Sequence, residues 1–254
     1  MRLQLKKITI LGIDIARINL LETLQITNSH INKKKQLIIF TANINHLVKT
    51  KKSREFRDIY QQADLVVADG VPLIWYSKIF GKPIPGRVNG TDLMEAILKL
   101  CNEKKLNIFF LGSTLKILIK LKQITNCSYP KLEIAGMYSP PHKNNFSEFD
   151  LEKINEKIKN KKIDFLLVAL GPGKQEEWLI KNGRNKLNFN IGIAVGSSLD
   201  IVAGDKIKAP RFLKNIGLEW LWRFIQEPKR LGRRYISDFF WIFYYFFKHH
   251  LVLI

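Results

Sequence analysis

An α/β fold, built on a mostly parallel sheet flanked by helices and ending in a helical appendage, is what this sequence of 254 residues predicts. Three observations carry that expectation. Short apolar runs bounded by turn residues recur at 37–41, 65–68, 108–111, 165–170 and 191–195, with stretches of helical periodicity between them. The runs are apolar almost throughout rather than alternating, as strands buried on both faces of a parallel sheet must be. After about Lys206 the composition becomes basic and aromatic. The expected organisation is a Rossmann-like core over 1–205 and an appendage over 206–254 that associates with a membrane.

Along the chain, residues 1–7 are basic, and the apolar residues of 8–21 are interrupted by Asp14 and Arg17, a poor signal-peptide core. No export is expected. The first two runs end in Thr41-Ala42-Asn43 and Ala68-Asp69-Gly70. A rigid turn from Pro83 to Asp92 follows, leading into a helix over 92–101 with Asp92 and Glu95 in N-cap and N3 positions. Residues 151–163 alternate Ile with Lys and Glu at helical spacing, the mark of a solvated surface helix. The run at 165–170 enters a glycine-rich turn, Gly171-Pro172-Gly173, and the run at 191–195 enters Gly196-Ser197-Ser198. The appendage carries Trp220, Trp222 and Trp241 with a Phe/Tyr cluster, together with Arg223, Lys229, Arg230, Arg233 and Arg234.

A content of 46% hydrophobic and 25% charged residues supports a full core and excludes a disordered chain. With 42 Lys and Arg against 22 Asp and Glu, the formal net charge is +20, a field that draws polyanions: nucleic acid, anionic lipid or a phosphorylated substrate. No run approaches the roughly 18 apolar residues of a spanning helix. Cys101 and Cys127 form neither a CxxC pair nor a Cys/His cluster, so a reducing compartment is expected and neither a zinc site nor a disulfide framework is. His46, His142, His249 and His250 are scattered without partners at ligand spacing, so no metal site is expected.

In open α/β sheets ligands bind at the carboxyl ends of the strands, so the residues just after each run are the candidates. Thr41 and Asn43 can orient sugar hydroxyls, or can serve as turn and capping groups. Asp69, followed by a glycine that permits close approach, suits a general base, or a cap for the next helix. Arg87, delivered by the proline turn, is a fork for phosphate. The Gly171–Gly173 turn opening a helix is a candidate seat for a diphosphate, although it is neither GxGxxG nor GxxxxGK[ST]. Neither a DxD pair nor a GxSxG elbow occurs, which argues against a metal-held diphosphate and against a serine hydrolase.

Thr41-Ala42-Asn43, Ala68-Asp69-Gly70, Arg87 to Met94, Gly171-Pro172-Gly173-Lys174-Gln175-Glu176, Gly196 to Asp200 and Gly217 to Arg223, in this order along nearly the whole chain, resemble the WecG/TagA/CpsF glycosyltransferases, glycosyltransferase family 26. The resemblance implies an inverting, metal-independent transferase that needs no cofactor. Its donor would be a UDP-sugar, foremost UDP-N-acetylmannosamine. Its acceptor would be a polyprenyl-diphosphate-linked N-acetylglucosamine in cell-surface polysaccharide synthesis. It matches Asp69 to the catalytic base, Thr41, Asn43, Arg87 and Gln175 to the pocket, Asp200 to a retained aspartate, and Arg223, Arg230 and Arg233 to appendage arginines that close over the site. Two departures bear on donor preference: Gly173 stands where the family has proline, and Ser197 and Leu199 stand where it has glycine and phenylalanine.

The expected enzyme works in the cytoplasm as a peripheral protein on the inner face of a membrane, with an anionic lipid surface as a partner and a homo-oligomer left open. Alternatives are a member using N-acetylmannosaminuronic acid or glucose, and a basic nucleic-acid-binding protein. The second leaves the polar groups at the strand ends unexplained.

Overall fold

The computed structural model describes residues 5–31, 33, 35–141, 143, 146–210, 212–213, 217–229, 231–232, 235 and 240–241. Its centre is a six-stranded sheet in which every pair is parallel: β3 (Leu37–Ala42), β4 (Leu65–Ala68), β5 (Asn107–Gly112), β6 (Glu133–Tyr138), β7 (Ile163–Ala169) and β8 (Phe189–Ala194), in the spatial order β4-β3-β8-β7-β5-β6. A hairpin of β1 (Lys7–Ile10) and β2 (Ile13–Ala16) precedes it. The chain winds outward from β3 to β4 and outward the other way from β5 to β6. β7 and β8 then fill the gap. Such reversals of strand order open a crevice at the carboxyl edge.

Strand residues alternate between two cores, one on each face. Ile38, Phe40, Val66, Leu166 and Val168 pack with Phe56, Ile59 and Tyr60 of α3 (Arg54–Gln61), Ile154 and Ile158 of α7 (Glu148–Lys159), and Trp178 at the end of α8 (Lys174–Trp178). Leu37, Ile39, Leu65, Val67, Phe165 and Leu167 pack with Leu93, Met94, Ile97 and Leu98 of α5 (Gly90–Lys104), and with Ile117, Leu118 and Leu121 of α6 (Leu115–Ser128). A strand with core on both sides must be apolar at every position, which is why the runs stand out in the sequence. β6 lies at an edge and is only partly buried. It slips register against β5 between Ile108 and Phe109, and it was not foreseen. Nor was the hairpin, whose apolar residues resemble a weak leader more than paired strands. Other helices among the described residues include α1 (Leu20–His30), α2 (Ile44–Lys52), α4 (Val71–Ile79), α9 (Ser198–Val202) and α10 (Glu219–Gln226), with a π-helical turn over Leu179–Gly183 after α8.

Two helix boundaries differ from the expectation. α5 begins at Gly90, with Asn89 rather than Asp92 as its N-cap: the Asn89 carbonyl accepts from the Thr91 N–H at 2.7 Å. Asp92 falls in the first turn, where its charge meets the positive end of the helix, and Glu95 binds Lys208 at 2.7 Å. The surface helix expected over 151–163 is α7, started by a capping box between Ser147 and Asp150 and finished at Lys159. Ile163 is already the first residue of β7. Among the described residues no helix is long and apolar enough to cross a membrane.

Candidate active site

Every polar residue singled out at a strand end lies at the carboxyl edge of the sheet. Asp69 follows β4, and its N–H donates to the Ala42 carbonyl at 2.7 Å, which ties the ends of β3 and β4 together. Gly70 then turns the chain into α4 with φ of +156°, a conformation that L side chains rarely adopt. α4 starts with proline in its first turn and has no side-chain cap. The capping role weighed for Asp69 is therefore not used, and the carboxylate is left at the edge.

The proline turn reaches the same place by extending the sheet. The Val88 N–H donates to the Ala68 carbonyl at 2.8 Å, so the turn lies alongside the end of β4 and carries Arg87 and Asn89 to it. The Arg87 guanidinium is held by Glu219 of α10 at 2.7 Å. The Asn89 amide donates to both oxygens of the same carboxylate, at 2.8 and 3.0 Å, and the Arg223 guanidinium donates to it at 3.0 Å. One carboxylate thus gathers three donors from two distant segments. Burial is the first influence on Asp69 and raises its pKa, while the charges of Arg223 and Arg87 pull it back down. Desolvation thus makes this carboxylate more basic than a free aspartate, while the two guanidiniums favour its ionised form. Asp69 keeps intermediate surface exposure although protein atoms surround it closely, as expected of a group at the bottom of a recess.

Next to this cluster lies a cleft of about 1000 Å³. Its walls come from the ends of β5, β6, β7 and β8, the start of α5, and α10. Asp200 is on its wall, where it accepts from the Ser113 hydroxyl at 2.7 Å and pairs with Lys206 at 3.0 Å. Tyr138, Phe146 and Trp222 supply aromatic surface, and Lys174, Lys206 and Lys208 supply charge. Asp69 and Arg87 do not line the cleft. Asn89, Glu219 and Arg223 do, and they close the end of it that faces Arg87 and Asp69.

The other anticipated residues have more structural parts. Asn43 caps α2 through a reciprocal box with His46 (3.4 and 3.3 Å), so the capping alternative holds for its carbonyl. Its Cβ would lie 3.9 Å from a Cβ on Gly70, which places it beside the Asp69 turn. Thr41 is 7% exposed, and its carbonyl accepts from the Tyr60 hydroxyl at 3.4 Å. Gln175 is 3% exposed and spans two loops: its carbonyl accepts from the Gly196 N–H at 3.2 Å and its amide donates to Glu176 at 2.8 Å. In the glycine turn considered as a diphosphate seat, the Gly173 N–H donates to the Glu176 carboxylate at 2.6 Å, while Gly171, Pro172 and Lys174 line the cleft. Burial raises the pKa of Glu176, and its hydrogen bonds from Gln175 and Gly173 work against that. Arg230 and Arg233 lie outside the described residues, as do His142, His249 and His250.

Glu219 and Asn89 were missed as site residues. Both stand inside the motifs quoted from the sequence, and Glu219 precedes Arg223 by four residues, the helical spacing of an ion pair. That spacing was the available signal. What sequence spacing could not convey is that Arg87, over a hundred residues away, completes the set.

The match to the "Glycosyl transferase WecG/TagA/CpsF family" runs over residues 8–253. Proteins from Staphylococcus aureus strains MW2 and NCTC 8325 are 27% identical over 229 residues, covering 89% of this chain and 87% of theirs. The protein from strain MRSA252 matches to the same extent. All three are named N-acetylglucosaminyldiphosphoundecaprenol N-acetyl-beta-D-mannosaminyltransferase.

Proposed function

The chain belongs to the WecG/TagA/CpsF family of glycosyl transferases, and from that premise we propose that it transfers N-acetylmannosamine from its UDP derivative to a polyprenyl-diphosphate-linked N-acetylglucosamine, with Asp69 as base. The observation that carries the proposal is the position of Asp69: at a strand end, uncommitted to a helix cap, desolvated, and faced by Arg87 and Arg223. The named activity of the staphylococcal relatives supports the choice of sugar and acceptor.

Asp69 takes the proton from the attacking acceptor hydroxyl, whose oxygen bonds to the anomeric carbon as the bond from that carbon to the UDP oxygen breaks. Attack comes from the face opposite UDP, so the configuration inverts. General-base help is worth about 10²- to 10⁴-fold. The departing diphosphate carries the charge that develops, and Arg87, Arg223 and the Asn89 amide are the fixed donors near Asp69 that can receive it. The cleft beside them accommodates the nucleoside, with Tyr138 or Trp222 as stacking surface and the Ser113–Asp200 pair as a polar anchor. The work is done at an anionic membrane surface, where the acceptor resides, and on the inner face, where nucleotide-sugars are made available.

The test is transfer from a panel of UDP-sugars to a short-chain lipid-diphosphate N-acetylglucosamine, followed by chromatography of the lipid product. Disaccharide should form with UDP-N-acetylmannosamine above the other donors, and formation should persist in excess chelator because arginines and an amide receive the leaving group. Preference for UDP-glucose or UDP-N-acetylmannosaminuronic acid overturns the sugar assignment. Loss of activity in chelator, restored by magnesium or manganese, overturns the metal-free mechanism.

A further inference from the structure

Glu219 raises a difficulty for the mechanism just described, because it already holds the donors that the diphosphate needs. Its two oxygens accept from Arg87, Asn89 and Arg223 at 2.7 to 3.0 Å. Asp69, Arg223, Glu219 and Arg87 form an alternating row of two negative and two positive charges, which sums to zero. A diphosphate entering that row as it stands meets two carboxylates and no surplus of positive charge. Carboxylate and phosphate ask for the same partners, a guanidinium fork and an amide N–H.

We infer that Glu219 stands in the seat of the donor's diphosphate as a displaceable latch, and that diphosphate binding drives its carboxylate out and takes over Arg87, Asn89 and Arg223. The inference rests on the proposed UDP-sugar donor for the identity of the natural ligand. Two further observations support displacement. Among the described residues of α10 none is fully buried, and Trp220 and Ile225 are exposed. The helix keeps other attachments when the carboxylate moves: Trp222 and Gln226 donate to the Ile207 carbonyl at 3.1 and 3.0 Å, and Trp220 and Phe224 pack on the Tyr235 ring. Glu219 and Arg223 line the cleft, and Arg223 is the charge that acts most strongly on Asp69, so displacing the Glu219 carboxylate clears the side of the cleft toward the base.

A latch and a scaffold predict opposite signs. If Glu219 only positions Arg87 and Arg223, removing its charge weakens ligand binding. If it competes with the ligand, removal strengthens it. Titration calorimetry of wild type, Glu219→Gln and Glu219→Ala with UDP, and separately with inorganic diphosphate, reads the sign directly. The expected result is tighter binding of both probes to both variants, by about threefold to thirtyfold, the worth of one displaced hydrogen-bonded charge. The alanine variant guards against an amide that holds the same donors. Unchanged or weaker binding of diphosphate to both folded variants overturns the latch. Tighter diphosphate binding with no UDP binding by any of the three proteins leaves the latch standing and overturns the UDP donor.

Discussion

Asp69 is the proposed base, and its neighbours set its proton affinity. Burial raises its pKa above the ordinary aspartate value, and Arg223 is the strongest influence opposing that rise, followed by Arg87. A general base must be ionised, so activity falls as pH drops through the raised pKa and is full above it. Removing Arg223 takes away a charge that favours the ionised form, so the acid limb of the kcat/KM profile in Arg223→Gln should move to higher pH than in wild type. A limb that stays in place, or moves to lower pH, would show that the profile reports another group. Asp69 was legible as a candidate because a polar residue at the end of an apolar run has few structural uses, whereas Arg87 was marked by the proline turn and Arg223 by the family resemblance. The sequence could not separate ligand-facing roles from internal ones for Asn43 and Gln175. Their side-chain oxygens serve a helix cap and a bridge between two loops, and such partners depend on which loops meet, not on neighbours in the chain.

At the scale of elements, the carboxyl edge is rigid where strand ends come very close. Gly112 ends β5 at φ of +106°, and a Cβ there would lie 2.3 Å from the Ala169 carbonyl oxygen at the end of β7. Backbone cannot yield as a flexible side chain can. Gly112→Ala should therefore cost about 3 kcal/mol or more in urea unfolding, as strain at a positive φ adds to a steric clash. A loss below about 0.5 kcal/mol, the usual effect of a neutral surface change, would mean that the two strand ends are not so closely set. The buried parallel strands were legible because burial on both faces forbids polar residues. β6 was not, since an edge strand with Gly136 and only partial burial has no such pattern. α5 was found two residues late because its cap, Asn89, sits in a turn that reads as loop, while Asp92 imitates a cap from within the first turn.

For the whole molecule, the net charge of +20 is a surplus that its own acidic residues do not neutralise, and we propose an anionic membrane surface, where a lipid-linked acceptor resides, as its partner. Each Lys or Arg near an anionic bilayer contributes roughly 1 kcal/mol, so a few suffice for reversible attachment. The aromatic run at 239–247 is the expected anchor. Only Phe240 and Trp241 of it are described: Phe240 is exposed, and the Lys52 ammonium sits 4.9 Å from the centre of the Trp241 ring. Deleting residues 239–254 should leave a folded protein that no longer sediments with anionic liposomes, while the intact chain sediments at low salt and is released at high salt. Retention of the truncated chain on liposomes would move the anchor elsewhere. The fold and the placement of the site at one edge follow from chain-wide patterns that a single sequence carries. The joining of Arg87 to α10 through Glu219 depends on long-range packing, which it does not carry.

If Asp69 supplies the base, turnover is the property that Asp69→Asn must change. Asparagine keeps the size and shape of the side chain but cannot accept the acceptor's proton. The variant should keep its melting temperature and bind UDP within a few-fold of wild type, with kcat for disaccharide formation lower by about two to four orders of magnitude. A kcat within threefold of wild type would contradict that role.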